Sequence, residues 1–329
     1  MLWAAALALA LLAGCGGGGG AGGSPAGGAG EPDTSAEPAI TLSAMAAPNY
    51  TAADCPRFVN EADARAALDL SNAQIRTVND FVLALDEEHA YKVFLRRPYD
   101  FINWIANSSG GTLDLLSLGA ATHETLHMNG WVLEQCGTAG TYKNVFLGIL
   151  RSTSLRPGDT PSMTVVGGVI DPALKAEPRY DVYITKALVG NDFTVLLDEF
   201  AAYAGAAQTD LLMIEAHPAA HKSRADLNLG GTVNFMVYLQ NYLKAIHGTP
   251  AWDKIKSDAA AVAYIQAVWN QAEKVLADSY VRTQDSATTQ LVINAAYFAA
   301  AYSTALLSEL DAIGVTHRSA ASWSGTYLP

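Results

Sequence analysis

Two histidines four positions apart, with a glutamate directly after the first, are the residues best suited to chemistry. They form the string His123-Glu124-Thr125-Leu126-His127. On an α-helix, side chains four residues apart lie within about 40° of each other on one face. Both imidazoles could therefore bind one metal ion, and zinc suits histidine ligands with one coordination position left for water. Glu124 would lie beside that position, where a carboxylate can accept a proton from attacking water.

This string resembles the active-site helix of the zincin metallopeptidases. In that clan the histidines are zinc ligands and the glutamate is the general base, so the resemblance implies these roles for His123, His127 and Glu124. It also implies a Zn²⁺ cofactor and a protein or peptide substrate. The alternative is a pair of structural histidines in the last turn of a helix, where the dipole favours them.

A third protein ligand would decide the subgroup. In metzincins the motif extends to HExxHxxGxxH, and the chain follows it to Gly130 but then has Leu133, which cannot bind zinc. Glu134, one residue later, is the metzincin-like alternative. Gluzincins instead use a glutamate from a separate downstream helix, and the segment 198–203 (DEFAAY) resembles that element. This resemblance favours Glu199 as the third metal ligand.

Helical periodicity agrees with a role for the segment 198–203. Apolar residues after Phe193 lie within about 60° of Phe193 on a helical wheel, and Glu199 and Tyr203 flank that stripe. A flanking side chain can reach a metal held by a packed neighbouring helix, and Tyr203 could then donate a hydrogen bond to a developing oxyanion. Alternatively, Asp198 and Glu199 stabilise a helix N-terminus through the dipole.

The other histidines give weaker predictions. His217 and His221 share the four-residue spacing without a carboxylate after the first, which favours a loop near the active site over a second metal site. Candidates for hydrogen bonds to the ligand histidines are Asn129 and Asp226. The histidines expected at the surface are His89, His247 and His317.

The elements that must position these residues are mainly helices. Helical spacing covers 61–106 with a break near Arg97-Pro98, about 112–129, 193–214, 231–247, 251–280 and 286–313. Between the two metal-binding helices, three β-rich runs predict strands: Val145–Leu150, Met163–Ile170 and Tyr180–Leu188. The expected fold class is therefore α+β, mainly α, a zincin-like metallopeptidase domain with a small β-rich segment. A substrate peptide could lie along an exposed strand edge there.

The first 48 residues predict a signal peptide that directs the protein to a membrane, followed by a flexible tether. The apolar run 2–13 is too short to span a bilayer and ends before Gly14-Cys15, which resembles the lipobox of bacterial lipoproteins. The resemblance implies a signal peptide over 1–14 and lipid on Cys15, with a plain signal peptide as the alternative. Residues 15–48 are rich in Gly, Ala and Pro and predict a flexible tether, and 49–329 a single catalytic domain.

This signal peptide predicts a bacterial envelope protein, lipid-anchored to a membrane, which we expect to be the outer membrane, facing the periplasm or the surface. Because that compartment is oxidising, a disulfide between Cys55 and Cys136 is favoured over two buried thiols. A formal charge of −12, without a run of Lys or Arg, argues against nucleic acid as a partner. The predicted function is an envelope zinc peptidase; the alternative is a non-catalytic zinc-binding or structural lipoprotein.

Overall fold

Long helices carry the residues of the predicted site. The computed structural model describes residues 42–108, 115–136, 143–146, 150–156, 158–186, 191–216, 218–283 and 293–326. In chain order the α-helices are α1 (Cys55–Val59), α2 (Glu61–Ala66), α3 (Ala73–Leu85), α4 (Ala90–Arg96), α5 (Pro98–Ser108), α6 (Leu115–Cys136), α7 (Pro178–Tyr180), α8 (Phe193–Ala216), α9 (Pro218–Ile246), α10 (Pro250–Ser257), α11 (Ala259–Thr283), α12 (Ala295–Ala301) and α13 (Thr304–Ala312).

The predicted α+β class is wrong, because the described part of the chain is mainly helical. Its strands are β1 (Lys143–Phe146) and β2 (Leu150–Thr153), which pair antiparallel with Lys143 opposite Thr153. The run 163–170 instead forms a 3₁₀ helix over Met163–Gly168, and the run 180–188 a π-helical turn over Asp181–Thr185 after α7. The β-rich segment expected between the metal-binding helices is therefore reduced to one hairpin, and the strand edge expected to hold substrate has little support.

The misread segments carry helical as well as β-type signals. Tyr180, Tyr183 and Ile184 are buried, and their spacing of three and four residues matches one helical face. Met163 and Val166, three residues apart, are buried in the same way. Side-chain burial against the long helices therefore overrides the β-propensity of short, branched runs.

Helix α6 is longer than the sequence predicted. The pattern indicated an end near Gly130, but the helix continues to Cys136, and Val132 and Leu133 are buried in the core. Leu133, which stands at the third-ligand position of the metzincin pattern, is a core residue. Cys136 forms a disulfide with Cys55 at the start of α1. The expected pairing of the two cysteines is therefore present, and it fixes the end of α6 to the first helices.

Helices α6 and α8 pack side by side in opposite directions. His127 meets Asp198, and Thr209 donates a hydrogen bond to Thr122 one and a half turns earlier along α6. Helix α8 begins after Asp192, whose carboxylate accepts hydrogen bonds from the backbone and hydroxyl of Thr194. Helix α9 packs along α8. The middle of α8 is thus enclosed between the long helices α6 and α9. This packing fixes the position of the α8 side chains that face α6.

The predicted breaks and ends follow capping residues. The break at Arg97 separates α4 from α5 as expected, and the Arg97 guanidinium donates to the Met128 carbonyl of α6. The predicted helix 251–280 divides at Asp258, which accepts from the backbone of Ala260 and Ala261 at the start of α11. In the predicted helix 286–313, α12 and α13 divide at Ser303; residues 286–292 lie outside the described part. Among the described helices, none is long and apolar enough to cross a membrane.

Candidate metal centre

Three side chains from α6 and α8 converge on one point. The Nε2 atoms of His123 and His127 lie 3.2 Å apart, and each lies 3.7 Å from Oε2 of Glu199. Two ligand atoms bound at about 2.0–2.2 Å to a tetrahedral zinc ion would be separated by roughly 3.3–3.6 Å. The triangle of donor atoms therefore has the size that a tetrahedral ion requires, and the structure shows a buried His-His-Glu group that could hold a metal ion.

The environment of the group also fits a cation. Glu199 is 1% exposed, His127 5% and His123 6%. The Oε2 atom of Glu199 is buried and has no hydrogen-bond partner in the described structure. A buried carboxylate oxygen without a partner is costly, since desolvation is not offset by hydrogen bonds. A bound metal ion would remove that cost, and the donor set of two imidazoles and one carboxylate is typical of zinc.

Asp198 orients His127. Its Oδ2 lies 2.8 Å from Nδ1 of His127, so that this nitrogen donates its proton to the carboxylate and the Nε2 lone pair faces the centre. Burial lowers the pKa of His127, but the carboxylates of Asp198 and Glu199 outweigh burial and raise it to about 10. The negative charge around His127 thus favours a cation at this place, either a proton or a metal ion.

Glu124 follows the first histidine of the group and is its solvent-accessible neighbour in the string. Its side chain is partly exposed, whereas the histidines on either side of it are buried. It is near enough that its carboxylate raises the pKa of His127. The general base expected from the sequence therefore lies beside the candidate metal centre and can exchange protons with solvent.

Tyr203 lies one turn after Glu199 on α8 and packs against the centre. Its ring meets that of His123 edge-on, with 4.7 Å between centroids. Its hydroxyl lies 3.2 Å from the hydroxyl of Tyr183, and the Arg179 guanidinium lies 5.5 Å from the centre of its ring. Burial raises the pKa of Tyr203, so its hydroxyl is neutral. The ring of Tyr203 therefore lies beside the candidate metal centre.

The other predicted residues have different positions. Asn129 donates to the backbone carbonyl of Val93 on α4, so it does not support the histidines as expected. His89 was expected at the surface, and this prediction is wrong as well, since the residue is buried. The surface histidines His247 and His317 pair with Glu309 and Asp311. The residues or side chains outside the described part are Glu134, His217, His221 and Asp226, and Cys15 precedes it.

Sequence reasoning missed Asp198 and Arg179. Asp198 was considered as a helix-terminal carboxylate, but α8 begins five residues earlier. Adjacent residues on a helix diverge by about 100°, so Asp198 reaches Nδ1 of His127 while Glu199 reaches Nε2. The adjacent carboxylates of Asp198 and Glu199 were the available signal, because two neighbouring acidic residues can serve both nitrogens of one histidine. Arg179 directly precedes the run 180–188 that was predicted to be a strand, and no local signal placed it near the centre.

Three comparisons with known proteins found no match: no family model, no curated protein and no solved structure matches the chain.

Proposed function

We propose that this chain is a zinc-dependent peptidase of the zincin type and the gluzincin subgroup. The observation that carries the proposal is the triangle of donor atoms from His123, His127 and Glu199, together with the partly exposed Glu124 of the same HExxH string. The string alone would fit a structural histidine pair. Its convergence with a buried glutamate from a second helix is what a catalytic zinc site needs, namely three protein ligands and one open position.

The residues of the chain divide the work of hydrolysis. A bound zinc ion would supply a Lewis acid that polarises a peptide carbonyl and acidifies a neighbouring water molecule. Glu124 takes the proton of that water as its oxygen attacks the carbonyl carbon, and later gives the proton to the leaving amine. Tyr203 donates a hydrogen bond to the carbonyl oxygen as negative charge grows there. Asp198 holds His127 in the tautomer that binds metal.

The helical fold does not weaken this argument. Function depends on the geometry of a site, and one constellation recurs on unrelated folds. Here α6 and α8 supply both candidate metal-binding elements, and the described strands between them form one hairpin. The proposal therefore concerns the chemistry of the site and not membership of an α+β fold family.

The experiment uses the protein from residue 39 onward, since Leu42 is buried in the core, purified in the wild-type form and as Glu124→Gln. We expect about one zinc ion per chain in both forms by elemental analysis. The wild type should hydrolyse a mixture of fluorogenic peptides, and Glu124→Gln should lose about 10²–10⁴-fold in rate, because a general base is absent while the ligands remain. A wild type without zinc after zinc reconstitution would refute the proposal.

A non-catalytic zinc-binding lipoprotein is the second candidate. It is favoured by burial, since all three ligands are less than 7% exposed and a closed site is typical of structural zinc. The same pair of proteins separates the two functions. A binding module would hold zinc in both forms and show no hydrolysis in either.

We also propose a cellular location for the protein. We infer lipid attachment at Cys15 from the Leu-Ala-Gly-Cys string, and a location in the bacterial envelope. The proposed tether ends before residue 42 rather than at the predicted residue 48, because Leu42 is buried in the core. Cys15→Ser should move the full-length protein from the membrane fraction to the soluble fraction. An unprocessed wild type in the membrane fraction would contradict lipidation.

A further inference from the structure

A half-buried ion pair that the proposed mechanism does not use lies beside Tyr203. The Arg179 guanidinium lies 5.5 Å from the centre of the Tyr203 ring. Glu177 accepts from Arg179 at 2.8 Å, and both side chains are less than 20% exposed. Replacing a buried ion pair with apolar residues is often neutral or stabilising, so such a pair is weak evidence for a role in stability. Its place beside Tyr203 favours a role at the site.

Two groups beside the Tyr203 hydroxyl favour one direction for its proton. A guanidinium can only donate, so Arg179 can interact with the Tyr203 hydroxyl only through a lone pair of its oxygen. The Tyr183 hydroxyl lies 3.2 Å from the same oxygen, and with Tyr183 as donor it occupies the second lone pair. The proton of Tyr203 is then left for an acceptor at the metal centre. A hydroxyl that accepts from a cation is also a stronger donor, since hydrogen bonds in a chain polarise one another.

Helix α9 makes room for this arrangement with two adjacent glycines. A Cβ at Gly231 would overlap the Tyr203 ring at Cδ1, whereas a Cβ at Gly230 would meet Nη1 of Arg179 at 4.0 Å, an ordinary contact. Glycine inside a helix is unfavourable relative to alanine. The close approach of Tyr203 to the backbone of α9 explains its presence at 231, and the packing leaves the ring little freedom.

We propose that Arg179 is a positioning residue which acts through Tyr203, directing the Tyr203 hydroxyl toward an oxyanion at the metal centre. The inference deepens the proposed function and rests on it for the identity of that oxyanion, the carbonyl oxygen of a peptide under attack. It requires no added reactant, because the hydroxyl donates a hydrogen bond and keeps its proton. Arg179 touches neither substrate nor metal in this role.

The test is a double-mutant cycle with a readout that does not depend on hydrolysis. The protein is loaded with Co²⁺ and titrated with acetohydroxamic acid, a small oxyanion ligand of such metals, and binding is followed by the visible absorption of cobalt. We expect Tyr203→Phe and Arg179→Met each to weaken binding about 10-fold, as for loss of one hydrogen bond to a charged group. The double variant should be no weaker than Tyr203→Phe alone, because Arg179 acts through that hydroxyl.

Kinetics and a conservative variant provide the controls. With peptide substrate, Arg179→Met should lower kcat with KM nearly unchanged, and Arg179→Lys, which keeps a cationic donor, should recover part of the loss. Gly231→Ala should reproduce the effect of Arg179→Met by displacing the ring, whereas Gly230→Ala should not. All variants should bind one metal ion per chain and keep the wild-type circular dichroism.

Two outcomes would overturn the inference. Losses that multiply in the double variant would show that Arg179 acts independently of Tyr203, and unchanged hydroxamate binding in Arg179→Met would show that it has no role at the centre. If the wild type binds metal without hydrolysing peptides, the proposed peptidase fails. The hydroxamate cycle still confirms or refutes the positioning role in that case.

Discussion

Two buried histidines of this chain have opposite affinities for a proton. His127, on α6, lies against the carboxylates of Asp198 and Glu199, and its pKa is raised to about 10. His89, just before α4, packs against Gly205 of α8, and burial lowers its pKa although Asp86 raises it. Both side chains are about 5% exposed. Burial alone therefore makes a histidine neutral, and it is the carboxylates from α8 that make the other one a site for a cation.

The largest expected effect follows from removing a carboxylate of the cation site. Glu199→Ala should yield folded protein whose zinc affinity is lowered by more than about 100-fold, since a lost ligand costs more than a lost supporting residue. Zinc per chain by elemental analysis, beside circular dichroism, is the measurement. His89→Gln and Glu134→Ala serve as controls and should retain zinc. Full zinc occupancy in Glu199→Ala would refute Glu199 as a ligand, and zinc loss in Glu134→Ala alone would favour the metzincin-like arrangement.

The next effect concerns the two aspartates beside the two histidines. Asp198→Asn should weaken zinc binding about 10- to 100-fold, because Nδ1 of His127 loses its charged acceptor. Asp86→Asn is the matched change beside His89, where the carboxylate accepts from the backbone of His89 and Ala90. It should leave zinc affinity unchanged. Competition with a chelator of known affinity measures both, and equal losses in the two variants would contradict the comparison.

A change at the neutral histidine should affect stability and spare the metal. A Cβ at Gly205 would lie 2.5 Å from Leu126 Cδ1 and 2.7 Å from His89 Nε2. Gly205→Ala should therefore reduce the free energy of unfolding by about 1–3 kcal/mol, as overpacking does. Zinc per chain should stay at the wild-type value. Urea unfolding measures the first quantity, and a fully stable variant would show that the His89 contact yields easily.

The smallest effect is a pH dependence. Because the pKa of His89 is lower in the folded state than the unfolded value of about 6.5, its contribution to stability is complete above that pH and is lost as the pH falls below it. The stability difference between wild type and His89→Gln should shrink by roughly 1 kcal/mol per pH unit below about 6.5. Urea unfolding of both proteins at pH 7.5, 6.5 and 5.5, with His247→Gln as an exposed control, is the measurement. A difference that is constant with pH would contradict a neutral His89.

The predictable parts of the site were those encoded in local periodicity. The spacing of His123 and His127 required one helical face, and the apolar stripe from Phe193 placed Glu199 at its flank. The relation of Asp198 to His127 depends on how α6 and α8 pack, which no single helical wheel contains. His89 is buried for the same reason, since a notch at Gly205, 116 positions later in the chain, receives its ring.

The fold class failed where the local signal was ambiguous. Tyr180, Tyr183 and Ile184 fit a helical face as well as a short β-rich run, and their burial decided the outcome. The helix break at Arg97 and the Cys55–Cys136 pairing could be predicted from the residues themselves, without knowledge of how the helices pack. Proline disfavours helix in the residue before it, and in the predicted oxidising compartment one remaining pair of cysteines leaves one possible pairing.

The Cys55–Cys136 bridge encloses 81 positions of sequence, including α2 to α5 and the histidines on α6. A single cut by another protease anywhere inside that loop would leave both pieces in one covalent molecule. The nicked protein would keep its mass until a reductant is added, and would then separate into fragments on a denaturing gel. In the envelope location that we propose, where proteases are present, the bridge would let α6 tolerate backbone damage that would otherwise divide the chain.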